Sequence, residues 1–170
     1  MRKAFLCAAT VFLLSFAPAH AQVGPVDWGK WKLGHLARFI GSSDVDTVLR
    51  DPKVAADLRA LVGDENVRVL QNNLTVRGPM GFEDMYLVLS GLAPHQGGDE
   101  EATVWVDLYH GGVLVALLHR QAVTLFTPPT MTSYSHVPEG LRNAVRRMST
   151  PLNARIAEDA APPARVRWRK

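Results

Sequence analysis

The side chains able to do chemistry are few and poorly arranged for it. Five histidines lie beyond the first twenty-one residues: His35, His95, His110, His119 and His136. None forms an i, i+4 pair or stands beside a second ligand at zinc spacing, so no metal is expected. His110 and His119 flank one hairpin and are the pair that could approach across strands. The single cysteine, Cys7, sits in an N-terminal apolar run, which leaves no thiol for catalysis. Ser90 lacks the glycine frame that exposes a nucleophile. Glu83 and Asp84 are neighbours on a strand and point to opposite sides, unlike a paired acid and base. Asp99-Glu100-Glu101 lacks the ligand offsets of a calcium loop and reads as a solvated turn. Nothing resembles a loop that cradles phosphate. The expectation is a protein that is not an enzyme and carries no cofactor.

One stretch stands apart: Gly91-Leu92-Ala93-Pro94-His95-Gln96-Gly97-Gly98, set between two strand-like runs. Pro94 fixes its own φ and restrains the residue before it, so the chain enters the loop stiffly. Gly97 and Gly98 let it turn back where other residues would strain. The product is a protruding loop, Pro94, His95, Gln96, Gly97 and Gly98, with an imidazole near its tip. An imidazole donates from one nitrogen and accepts at the other, or donates from both when charged, which suits insertion between two carboxylates. The plainer reading is a surface turn that happens to hold a histidine.

The opening MRKAFLCAATVFLLSFAPAHAQ has a basic start at Arg2 and Lys3 and an apolar run over 4–16. Ala19-His20-Ala21 fits a small-x-small cleavage site, which places the cut before Gln22. Residues 1–21 are therefore expected to be a signal peptide, 22–150 one domain, and 151–170 a basic, flexible tail. No later apolar run is long enough to cross a bilayer. Without cysteine, the exported chain must hold by burial and backbone pairing. Charge is segregated. Residues 22–140 carry nine Lys and Arg against fourteen Asp and Glu, and residues 141–170 carry eight against two. The acidic body favours cationic partners or simply solubility. The tail could touch anionic lipid or polymer, or be only a charged end; nucleic acid is not an expected partner.

Helical spacing of Leu33, Leu36, Ala37 and Ile40 predicts a first helix, stopped at Gly41. Asp51-Pro52 is a start signal, and Val54, Leu58, Leu61 and Val62 predict a helix over 52–62 that ends at Gly63. The period then falls to two. Val67–Leu70 and Leu74–Arg77 read as short strands, followed by strands over 85–89, 103–109, 113–118 and 122–126. Val104, Val106 and Leu108 share one strand face. Trp105, Asp107 and Tyr109 take the other, as a binding stripe or as the half-buried face beneath a helix. A last helix opens at Pro138-Glu139, with Leu141, Val145 and Met148 as its apolar stripe. The fold class is α+β: an antiparallel meander sheet of about five strands with flanking helices.

In this setting the chain resembles the inhibitor of vertebrate lysozyme family. Members carry a loop C-K-P-H-D-C between two strands, and the matching segment here is Leu92-Ala93-Pro94-His95-Gln96-Gly97. Asp51-Pro52-Lys53-Val54-Ala55-Ala56-Asp57-Leu58 resembles the family's helix before the sheet, and Val137-Pro138-Glu139-Gly140-Leu141 its closing helix. The resemblance covers roughly 50–148. Pro94 and His95 alone carry over within the loop motif, because Leu92 and Gly97 stand where the family has its cysteines. The resemblance implies a periplasmic protein that plugs the cleft of a lysozyme, or a related peptidoglycan-cleaving enzyme, with its histidine on the catalytic acids. It also implies pairing as dimers, although no residue marks a dimer surface. The lost cysteines keep another reading open, a divergent envelope-binding module of the same fold without lysozyme inhibition.

Overall fold

The computed structural model describes residues 26–96, 98–150 and 166–169. The expected signal peptide, Gly97 and residues 151–165 lie outside them. The chain enters through two 3-10 helices, Trp28–Lys30 and Gly34–Phe39, and Gly41 ends the second at φ +79°. A short α1 follows, Val45–Leu49.

Helix α2 spans Pro52–Asn73. Its start is as the sequence predicts: the Asp51 carboxylate accepts from the amides of Lys53 and Val54 at 3.0 and 3.2 Å. Pro52 has no N–H to satisfy and the Asp51 amide donates to the Val48 carbonyl, so these two bonds complete the first turn. Gly63 leaves helical geometry at φ +79°, ψ 161°. The break is a kink rather than an end, and helix resumes at once. Asn66 Nδ2 spans the kink to donate to the Val62 carbonyl at 2.8 Å. Val67–Leu70, expected as a strand, is therefore helical. Leu70 and Leu74 are buried, and Val67 packs against the same core, a three-and-four spacing that outweighs the local alternation.

Among the described residues seven strands form one sheet: β1 (Val76–Arg77), β2 (Gly81–Glu83), β3 (Tyr86–Leu92), β4 (Glu101–Asp107), β5 (Val113–His119), β6 (Ala122–Phe126) and β7 (Val166–Arg169). Their order is β1-β3-β4-β5-β6-β7, with β2 also pairing with β3. All pairings among β1 to β6 are antiparallel, and β3 to β6 run as a meander. The class is α+β. Four residues of the basic tail, Val166–Arg169, are a strand that adds parallel to β6, and the Thr127 amide donates to the Arg169 carbonyl at 3.0 Å.

Both sheet faces are covered. Val104, Val106, Val113, Val115 and Leu117 pack with Val54, Leu58, Val62 and Leu70 of α2. Trp105, Leu114, Ala116, Leu118, Val123 and Leu125 pack on the other face under α3 (Glu139–Ser149), against Leu141, Val145 and Met148. This explains why VLVALL is apolar on both sides, as a central strand requires. The Trp105–Tyr109 face divides. Trp105 is 2% exposed beneath α3 and donates from Nε1 to Thr103 Oγ1 at 3.2 Å. Tyr109 is 46% exposed and meets the Trp31 ring edge-on at 5.4 Å. Among the described residues no helix is long and apolar enough to cross a membrane.

Candidate functional site

The His95 loop joins β3 to β4 at one end of the sheet. Leu92 stands opposite Glu101, and the Ala93 amide closes the neck by donating to the Glu100 carbonyl at 3.0 Å. The Gln96 amide then donates to the Ala93 carbonyl at 3.3 Å. Pro94 and His95 are the central pair of that turn, and His95 has φ +60°. Proline second and a left-handed residue third is the pattern of a type II turn, where glycine or asparagine is usual. A histidine there costs about 1 kcal/mol of backbone strain. Past the tip, the amides of Asp99 and Glu100 both donate to the Gln96 carbonyl, at 3.1 and 3.2 Å, and Gly98 turns the chain at φ +90°. The hydrogen-bonded backbone holds Ala93 buried at the base and leaves His95 and Gln96 exposed. Pro94 is half-buried beneath them. Among the described residues the His95 ring has no hydrogen-bond or ion-pair partner.

The loop shares its end of the sheet with the β5–β6 turn, since Leu92, Glu101, Leu118 and Val123 fall in one cross-strand row. Arg120 and Gln121 form that turn at φ +50° and +62°, the twist that suits a two-residue hairpin. Glu100 ties the two together. Its carboxylate accepts from the Arg120 amide at 3.0 Å and lies 2.7 and 3.0 Å from His119 Nδ1. An ionised carboxylate only accepts, so Nδ1 carries the proton in this contact. From α2, the Asn73 amide donates to Glu100 at 3.2 Å, to the Leu118 carbonyl at 3.0 Å and to the Glu101 carbonyl at 3.4 Å. Asn73 is 0% exposed. Burial works to raise the Glu100 carboxyl, but the bonds from the Arg120 amide, His119 and Asn73 outweigh it and hold it below the usual range. The neighbouring Glu101 pairs with Arg147 of α3. A cleft of about 260 Å³ runs behind the loop, between Gly98, Asp99, Gln121 and the end of α3 at Met148–Thr150.

The sequence singled out His95 and Pro94, but gave no supporting role to Glu100, to His119, which it paired with His110, or to Asn73. Glu100 was expected in a solvated turn, and Asn73 between two strands. His110 and His119 do not meet. They lie at opposite ends of β5, a seven-residue strand, and about 20 Å separates its ends. His110 instead faces Asp107, with Nδ1 and Oδ2 3.1 Å apart. Among the described residues no three metal-ligating side chains cluster.

The sequence profile described as inhibitor of vertebrate lysozyme (Ivy) matches residues 53–151, from the first turn of α2 to just past α3. The chain belongs to the Ivy family. The matched span contains the whole meander and the His95 loop, so the loop lies inside the part that defines an Ivy protein. No curated protein and no solved structure matches the chain. As an Ivy protein it is placed among lysozyme inhibitors, and lysozyme is the partner that membership implies.

Proposed function

We propose that this Ivy protein is exported to the periplasm and inhibits a lysozyme or related peptidoglycan-cleaving enzyme by inserting Pro94-His95 into the catalytic cleft. The observation that carries this reading is the state of His95: exposed, at the left-handed tip of a hydrogen-bonded turn, with no hydrogen-bond or ion-pair partner for its ring among the described residues. Strained backbone held at an exposed polar tip is a signature of functional loops. A lysozyme cleaves its glycan between two carboxyl groups, and the imidazole can bond to both. If the ring is charged, those bonds are charge-assisted and about twice as strong as neutral ones. Gln96, beside it on the exposed rim, adds an amide that donates and accepts. Gly97 and Gly98 complete the inhibitory loop. The acidic body assists encounter with a cationic enzyme, an effect that salt screens.

The test is a cell-wall lysis assay with vertebrate lysozyme and purified residues 22–170. The wild-type protein is expected to slow lysis. His95→Ala is expected to weaken binding about 30-fold or more, as truncation of a central contact does. No effect of the wild-type protein on any muramidase overturns the reading. Retention of a periplasmic partner without muramidase inhibition would instead support the second reading, a divergent envelope-binding module, which the substituted cysteine positions Leu92 and Gly97 favour. Detection of the chain in the periplasmic fraction, with Gln22 as its N-terminus, checks export.

A further inference from the structure

Every polar group of Glu100 is used to close the His95 loop. Its amide bonds to the Gln96 carbonyl and its carbonyl accepts from Ala93, which fixes the two arms of the loop to each other. Its carboxylate bonds to three separate elements: Asn73 of α2, His119 at the end of β5, and the Arg120 amide in the β5–β6 turn. Asn73 is itself pinned by the Leu118 carbonyl, so the contact is anchored in the core rather than in another mobile side chain. The loop contains no cysteine, and the chain's single cysteine, Cys7, leaves no pair to form a disulfide within the chain. Its order therefore depends on these non-covalent bonds.

We propose that Glu100 is the positioning residue for His95: its carboxylate, gripped by Asn73, His119 and the Arg120 amide, is a clasp that keeps the loop ordered before a partner arrives. This rests on the reading of the loop as the inhibitory element. A loop ordered in advance loses less entropy on binding, so release of the clasp lowers affinity without removing a contact to the partner. The titratable and charged groups around Glu100 are His119 on β5, Arg120 in the adjoining turn, and the exposed Asp99 beside it in the loop. Glu101 is engaged by Arg147 of α3. His119 is the group among them whose side chain touches the carboxylate, and protonation of Glu100 converts an acceptor of three bonds into a group that must itself donate.

Two readouts separate the clasp from the inhibitory reading. The first is amide hydrogen exchange in the free protein, expressed as protection factors. Glu100→Ala is expected to lower protection of the Ala93, Gln96 and Asp99 amides at least ten-fold, with Val104 and Val115 in the sheet core unchanged. The second is affinity for vertebrate lysozyme, expected to fall at least ten-fold in the same variant. Glu100→Gln keeps an acceptor and is expected to fall between the two. His119→Gln, which keeps a donor near Glu100, serves if the alanine variant does not fold and is expected to lower loop protection at least three-fold. His95→Ala is expected to lose affinity with loop protection intact. Unchanged loop protection in Glu100→Ala overturns the clasp, as does accelerated exchange with undiminished affinity. If the wild-type protein binds no lysozyme, the inhibitory reading fails, while the exchange measurement still decides whether Glu100 orders the loop.

Discussion

The side-chain amide of Asn73, fully buried at the last turn of α2, donates at 3.0 Å to the carbonyl of Leu118 on β5. The bond crosses from the helix layer to the sheet at the end that carries the His95 loop, and the same nitrogen reaches Glu100. Asn73→Ala removes a donor from the buried Leu118 carbonyl and from the part-buried Glu100 carboxylate and Glu101 carbonyl, and leaves a small void. Buried acceptors without partners cost about 1–3 kcal/mol, so the variant is expected to lose about 2 kcal/mol of stability. Urea denaturation followed by far-ultraviolet circular dichroism measures this. A loss within error of zero would mean that the amide bears no weight in the fold.

Gly91 marks the closest approach of the chain to this junction. A Cβ there would lie 2.9 Å from Leu74 Cα and from the Val76 carbonyl oxygen, and 3.0 Å from the Asn73 carbonyl oxygen. All three are backbone atoms and cannot swing aside. Gly91→Ala is therefore expected to force β1 and the end of α2 away from β3, at a cost of about 1–3 kcal/mol typical of overpacking. Gly78→Ala, where a Cβ meets nothing within 4 Å, is the control and is expected to change stability by less than about 0.5 kcal/mol. Equal thermal midpoints for the two variants would contradict the packing described.

Two partly buried carboxylates, Asp51 and Glu100, make the fold sensitive to acid, beside the exposed Asp44, which its bonds from Thr47 also hold low. Burial acts to raise both. At Asp51 it is outweighed by the His35 hydrogen bond and the amides of Val54 and Lys53, and at Glu100 by the Arg120 amide, His119 and Asn73. Both therefore titrate below their ordinary values of 3.8 and 4.5. A carboxyl held low in the fold binds fewer protons there than in the unfolded chain. The stability it contributes is complete above the unfolded value and is lost as pH falls through the folded one. Around Asp51 the facing basic groups are the His35 imidazole, 2.8 Å away, and Lys53, which pairs with Asp57. The urea midpoint is expected to be level above about pH 5.5 and to fall below about pH 4.5. In the double variant Asp51→Asn, Glu100→Gln this acid slope is expected to be shallower, and an unchanged slope would place the acid sensitivity elsewhere.

What the sequence disclosed depends on how local each signal is. The start of α2 was legible because Asp51 and Pro52 act on amides two and three residues away. The faces of β4 were legible because Val104, Val106 and Trp105 alternate in and out of a two-layered core. Val67–Leu70 was not, because Val67 and Val69 fit a period of two while Val67, Leu70 and Leu74 fit a helix. Gly63 also looks the same in sequence whether it ends a helix or bends one. The exposed His95 tip announced itself through Pro94 and its glycines. Its support did not, because Glu100 meets partners 19 and 27 residues away, a pairing that register alone reveals. With Glu101 opposite Leu118, Glu100 must face His119. The β7 strand was hidden for the same reason. Its four residues gain their partner from β6, far back in the chain.

The backbone at His95 offers a way to divide function from stability. At φ +60° any side chain with a Cβ is strained, and glycine alone is relieved of it. His95→Ala deletes the imidazole but keeps the strain, so its stability is expected to match the wild type within about 0.5 kcal/mol. His95→Gly deletes both. Relief of about 1 kcal/mol at the turn is partly offset by the greater freedom of glycine in the unfolded chain, which leaves a net gain of about 0.5 kcal/mol. Both variants are expected to lose lysozyme inhibition. A loop selected for stability alone would carry glycine or asparagine at this third turn position, as type II turns ordinarily do. Urea titrations of the three proteins, run beside the lysis assay, decide the matter. A glycine variant less stable than the alanine variant would show that the His95 backbone bears no strain, and inhibition retained by either would remove the imidazole from the mechanism.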